Sequence, residues 1–229
     1  MKISVLNEST MIPSRDFMRM VKACATQLSR DACPVWGCSK SSVVAAGSLK
    51  GADGYIISIM DDADQADALG YHSETPDGRP YGKVFVKPTM DNGGTLTDGP
   101  SSVSCTLSHE VLEMWWDPQV NVWYEAADGT LWSGELCDPV EASSYEIVVG
   151  KSKVTVSNFV LPPYFDARPE KGSKFDFLGR LKKEFTLEAG GYAVLRGPRG
   201  GTKQVFGKKY PEWKLAGKKF PASRTAKRK

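Results

Sequence analysis

The chain has only two histidines in 229 residues and no apolar run approaching the ~20 residues that cross a membrane. Its five cysteines, Cys24, Cys33, Cys38, Cys105 and Cys137, are odd in number and irregularly spaced. None forms a CxxC pair, so neither a disulfide framework nor a zinc knuckle is evident, and reduced, mostly buried thiols are expected. The opening segment Met1–Glu8 is too short and too polar for a signal peptide and reads as a first strand, so a cytosolic setting is expected. No internal repeat is visible.

What is present is the balance of a globular protein: 41% hydrophobic and 25% charged residues, with six Trp and nine Phe to fill a core. Net charge is only +3, but it is unevenly placed. Residues 203–229 hold ten Lys or Arg against one acid, Glu212, or +9, which leaves −6 on the rest of the chain. A mildly acidic body with a basic tail calls for an acidic partner.

Alternation over Lys2–Asn7 predicts a strand, and apolar spacing through Phe17, Met18, Val21, Cys24 and Leu28 predicts a helix over Met11–Leu28. Ser42–Ala46 and Tyr55–Met60 are β-branched runs near glycines, hence strands. A turn over Thr75–Pro80 leads to Lys83–Lys87, whose flanking charges and Pro88 suggest an edge strand. Val103–Trp116 reads as a helix stopped by Asp117-Pro118, Asn121–Glu141 as irregular, and Lys153–Val160 as a strand. The chain beyond Asp166 is Gly- and Lys-rich, which divides the molecule into a domain over 1–165 and an irregular extension over 166–229.

The sequence Ser108-His109-Glu110-Val111-Leu112-Glu113 carries the chemistry. Residues four apart share a helix face, so His109 and Glu113 can ligate one ion. Glu110 lies about 100° round the helix, where its carboxylate can serve as a base at the ion's open side. Glutamate stands where a zincin has its second histidine, which hardens the site and admits divalent ions other than Zn2+. A third ligand is expected from Gly134–Glu141, with Glu135 preferred, Asp138 second and Glu141 a further acid within reach. In a helical turn Glu135 and Asp138 would face one way and Cys137 another. A core helix with one histidine and two carboxylates needs a cation, since buried unpaired charge is costly.

His72, after Gly70-Tyr71, is placed to border a cleft. Tyr145 and Tyr124 are candidates to donate to a developing oxyanion, although both also suit a core.

Gly70-Tyr71-His72, Asp77–Pro80, Val84–Val86, Ser108–Glu113, Glu135–Glu141, Val156–Val160 and Gly190-Gly191-Tyr192 form an ordered set. In these segments, spanning about residues 55 to 195, the chain resembles a zincin-like, metallopeptidase-like family of tailed bacteriophages and prophages. The resemblance implies an α+β fold: a twisted mixed sheet, an edge strand beside a cleft and an active-site helix beneath. It also implies a metal held by His109, Glu113 and an acid of Glu135–Glu141, with Glu110 as base.

Two functions are therefore expected. One is a metal-dependent peptidase acting on peptide or protein. The other is a virion structural or accessory protein that keeps the fold and the ion. Either acts in the host cytoplasm or the virion. The tail, in which Phe206, Tyr210, Trp213 and Phe220 are interleaved with lysines, is expected to lie on virion proteins or nucleic acid rather than over the metal cleft.

Overall fold

A computed structural model describes residues 1–37, 40–65 and 68–209. The class is α+β, as expected. Five strands form the main sheet: β1 (Lys2–Asn7), β2 (Ser42–Ala46), β3 (Tyr55–Met60), β4 (Gly70–Glu74) and β5 (Pro80–Phe85), in the order β2-β1-β3-β5-β4. Four run parallel; β4 alone is antiparallel, pairing His72 with Gly82 and Tyr71 with Lys83. Helix α1 (Ser14–Thr26) connects β1 to β2 and runs on through a π-helical turn, Gln27–Ala32, to the short α2 (Cys33–Trp36). Ile3, Val5, Ile57, Ile59 and Val84 alternate along their strands and, with Val5 beside Ile57 and Ile59 beside Val84, line one face of the sheet with no exposure.

The expected edge strand is displaced by one position. β5 lies between β3 and β4, and the edge belongs to β4, the strand that carries His72. The chain from Val86 to Asp91 is helix α3 rather than strand, with Pro88 inside its first turn, where a missing N–H costs nothing.

Helix α4 (Val103–Trp116) is the spine of the molecule. Ser102 caps its N-terminus, its hydroxyl accepting from Cys105 N at 3.2 Å. Asp117 ends it, the carboxylate accepting from Asn121 N and Val122 N and so turning the chain back. Twelve of its fourteen residues are buried, so the helix is packed on nearly every side. It lies against β4, β5 and α1. On another side Ser108 Oγ accepts from Ser157 N of β9 (Ser152–Ser157) at 2.7 Å. Strand β9 forms a hairpin with β8 (Ser144–Val149).

The stretch after α4 is more regular than its sequence suggests. β6 (Trp123–Glu125) and β7 (Leu131–Ser133) pair, and a 3-10 turn occupies Asp138–Val140. Past residue 165 the chain is mostly turns until β10 (Tyr192–Arg196) and β11 (Thr202–Phe206), which complete a four-stranded antiparallel sheet in the order β11-β10-β7-β6. Phe175 and Leu181 share the main core with the residues before 165, and β10 pairs with β7. The boundary drawn near 165 thus runs through a shared core and a shared sheet. Gly191 lies so close to the acid segment that a Cβ there would fall 2.2 Å from Pro139 O.

The basic tail begins later than its composition indicates. Lys203–Phe206 is part of β11, paired with β10 of the same chain, and the Phe206 ring lies 6.1 Å from that of Tyr192. Residues 210–229, including Tyr210, Trp213 and Phe220, lie outside the described residues. Among the described residues, no helix is long and apolar enough to cross a membrane.

Candidate metal centre

Three elements bring six polar side chains into one buried cluster. Helix α4 presents His109, Glu110 and Glu113, edge strand β4 presents His72, and the segment after β7 presents Glu135 and Asp138. His109 is the most exposed of them at 8%; the other five are at 3% or below.

The pair expected on one helix face is there. His109 Nε2 lies 3.0 Å from Glu113 Oε1 and 3.1 Å from Asp138 Oδ1. Two ligand atoms around a tetrahedral ion with bonds of ~2.0–2.1 Å stand ~3.3 Å apart, so either carboxylate is spaced to share a cation with His109. Asp138, the second choice from sequence, is the acid that meets His109. Glu135 meets the other histidine instead, its Oε2 lying 4.0 Å from His72 Nε2. These two acids do not share a helical turn: Glu135 is in irregular chain and Asp138 opens the 3-10 turn. For that reason Cys137 does not turn away. Its backbone N–H donates to Glu113 Oε1, and its thiol belongs with His109 and Glu113 to a group whose ligand atoms all lie within 4.8 Å of one another.

A second such group joins His72, Glu110 and Glu113. His72 Nδ1 is 3.4 Å from Glu110 Oε2 and 3.9 Å from Glu113 Oε2. On the far side of the ring, Nε2 sits 3.0 Å from the carbonyl oxygen of Asp117. A carbonyl only accepts, so Nε2 carries the proton and Nδ1 is the atom turned to the carboxylates. Such outer hydrogen bonds commonly fix the tautomer of a ligating histidine.

Gly70 makes this approach feasible. A Cβ there would fall 2.8 Å from Thr106 Cγ2, 3.1 Å from Lys83 O and 3.2 Å from Glu110 Cγ. Gly70→Ala should therefore push β4 away from α4, costing ~1–3 kcal/mol as overpacking does. Gly47→Ala, in open space, should stay within ~0.5 kcal/mol, as surface changes do. Equal urea midpoints for the two variants would contradict this packing.

The electrostatics are those of a site short of positive charge. Burial raises the Glu113 carboxyl, and Asp138 and Glu135 raise it further against the opposing pull of His109, to about 8. Burial alone would lower His72, but Glu135, Glu110 and Glu113 outweigh it and lift the imidazole to about 9. His109 behaves alike: burial opposes its charging, while Glu113 and Asp138 carry it well above its ordinary value. Burial, then Glu113, holds the Cys137 thiol well above the usual thiol range. Glu113 Oε2, fully buried, accepts no hydrogen bond. A buried carboxylate oxygen in that state is costly unless a proton or a cation meets it. The donor set of imidazole, carboxylate and thiol fits a divalent metal such as Zn2+.

The remaining candidates sit in neither group. The Tyr145 hydroxyl donates to Asp31 Oδ2 at 2.8 Å, and its ring packs against Phe177. Tyr124 accepts from Trp116 Nε1 and stacks on Phe165. Glu141 follows the 3-10 turn, its N–H reaching Asp138 O at 3.4 Å. The Asp117 carbonyl, which orients His72, had no signal in the sequence, because a backbone acceptor can come from any residue. Comparison of the chain with protein-family models, with curated proteins and with solved structures finds no match.

Proposed function

We propose that this protein is a zincin-like metal-dependent hydrolase, a peptidase of phage origin, built on the His109–Glu110–Glu113 helix. The observation that carries this reading is the buried group of His109, Glu113 and Cys137, whose ligand atoms all lie within 4.8 Å of one another, with Asp138 Oδ1 3.1 Å from His109 Nε2 and Glu110 one residue along the same helix. His109, Glu113 and the Cys137 thiol would hold the ion, with Asp138 beside His109. A bound Zn2+, or another divalent cation, supplies Lewis acidity toward a carbonyl and toward water.

The chain's own groups do the rest. Glu110 accepts the proton of the attacking water and passes it to the leaving amine. His72, held by the Asp117 carbonyl, keeps the Glu110 carboxylate in place from across the sheet edge. Strand β4 is the antiparallel edge of the mixed sheet, and its outer side can align an extended peptide by strand addition.

A second reading rests on burial. Structural metal sites are closed, whereas catalytic ones keep an open position. With Glu110 2% exposed and Glu113 not at all, the cluster also suits a virion structural or accessory protein that keeps the ion for stability. Incubating the Zn2+-loaded protein with a quenched-fluorescent peptide library, with and without chelator, separates the two. Chelator-sensitive cleavage supports the peptidase. Retained metal with no cleavage of any peptide favours the structural reading.

A further inference from the structure

We infer that the cluster is a two-metal centre in which the Glu113 carboxylate bridges two divalent cations. This rests on the metal-binding reading above and extends it by a second ion site, formed by His72 Nδ1, Glu110 and Glu113.

The geometry at Glu113 is the first argument. Its two oxygens face different histidines: Oε1 lies 3.0 Å from His109 Nε2, and Oε2 lies 3.9 Å from His72 Nδ1. A carboxylate that ligates one ion through one oxygen has no need of a second imidazole at the other. Oε2 is also the buried oxygen that accepts no hydrogen bond. Split between two ligand groups, it acquires a partner. The two oxygens of one carboxylate span ions at the ~3.5–4 Å separation of two-metal hydrolytic sites.

Charge is the second argument. Glu110, Glu113, Glu135 and Asp138 together bring four negative charges to a place where none of them is more than 2% exposed. One divalent ion neutralises half of that, and two neutralise all of it. His72 and His109 offset part of this charge only while protonated; as neutral ligands they offset none, so the carboxylate count of the loaded site matches two ions better than one.

The third argument is the orientation of His72. Asp138 meets His109 at Nε2, whereas Glu135 lies 4.0 Å from Nε2 of His72, on the side of the Asp117 carbonyl, and leaves Nδ1 to Glu110 and Glu113. His72 is oriented by the Asp117 carbonyl so that Nδ1, the nitrogen that gives up its proton when the ring becomes a ligand, faces Glu110 Oε2 at 3.4 Å. The mononuclear reading has no use for that orientation beyond steadying Glu110. In a two-metal centre it makes His72 a ligand, and Glu110 gives one oxygen to the second ion while the other remains the proton acceptor.

The test is metal content and spin coupling in the full chain. Protein stripped with chelator and reloaded with Mn2+ or Zn2+ should hold two ions per chain by elemental analysis. The Mn2+-loaded form should give the exchange-coupled resonance of paired ions rather than the six-line signal of an isolated one. His72→Ala should drop the content to one and restore the six-line signal. Glu113→Gln should weaken both sites, lowering the content below that of His72→Ala. One ion in the wild type with a six-line signal, unchanged by His72→Ala, would overturn the second site while leaving the single-ion function intact. Two ions without coupling would place the second ion elsewhere and overturn the bridge. No ion at all would remove the metal reading itself. The wild-type spectrum decides the matter even if a variant fails to fold.

Discussion

Replacing Glu110 by Gln should leave the ion at His109 bound and reduce peptide hydrolysis by roughly 100- to 10,000-fold, the range a positioned proton acceptor contributes. The amide keeps the volume of the carboxyl group, so the packing beneath Gly70 is preserved, but it cannot accept the proton of water. His109→Ala should behave differently. It removes an atom 3.0–3.1 Å from both Glu113 and Asp138, so the ion at that position and the activity should be lost together. The affinity loss there should exceed the ~10–100-fold that follows removal of an outer hydrogen-bond partner of a ligand. Titration with a fluorescent zinc chelator and a peptide assay on the same preparations give both readouts. If Glu110→Gln loses all bound metal, as His109→Ala is expected to do at its own site, Glu110 is an indispensable ligand and cannot be the general base.

How far the sequence foretells this site depends on whether the relevant geometry is local. The i, i+4 relation of His109 and Glu113 is set by the helix alone, so it could be read directly. The strands β1, β2 and β3 were equally legible, because β-branched runs such as Ser42–Ala46 and Tyr55–Met60 leave few alternatives. His72 was harder. Its role follows from β4 folding back antiparallel on β5 so that His72 faces Gly82, and sheet order is not encoded in any one strand. For the same reason Lys83–Lys87 looked like the edge: its charges satisfy partners across the sheet margin, Lys83 bonding to Asp64 and Lys87 to Asp62, rather than marking an unpaired strand.

The choice between Glu135 and Asp138 turned on a backbone detail. Helical spacing would put both on one side, but the chain at Glu135 is irregular and Asp138 begins a 3-10 turn. The two acids diverge, one toward each histidine, and Cys137 is carried inward between them. The basic tail shows the opposite failure. Composition alone assigns Lys203–Phe206 to an arm lying on a partner, yet these residues pair with β10 of the same chain. Charge density did not prevent a strand there because β11 is an edge, where lysine is tolerated.

Removing the metal should change how stability responds to pH, and in a direction that identifies the atoms involved. In the ion-free protein the folded-state values of Glu113 and His72 lie at about 8 and about 9, above their ordinary values of 4.5 and 6.5, and His109 is raised as well. The folded state then binds more protons than the unfolded one across that span. Its stability from these groups is fully present below about pH 4.5 for Glu113 and below about 6.5 for His72, and it is lost as pH rises through 8 and 9. Metal loading replaces those protons with an ion bound by the deprotonated groups, so its stabilisation should grow over the same interval. At a free metal concentration ~1,000 times the dissociation constant, the gain is about 4 kcal/mol. For a chain of this size that raises the melting temperature by roughly 8–16 °C. Thermal scans of chelated and Zn2+-loaded protein at pH 6, 7, 8 and 9 should therefore show the chelated form weakening with pH and the gap between the two widening. A gap that stays constant from pH 6 to 9 would mean that ion and protons do not compete for His72, His109 and Glu113, and the metal would have to sit elsewhere in the fold.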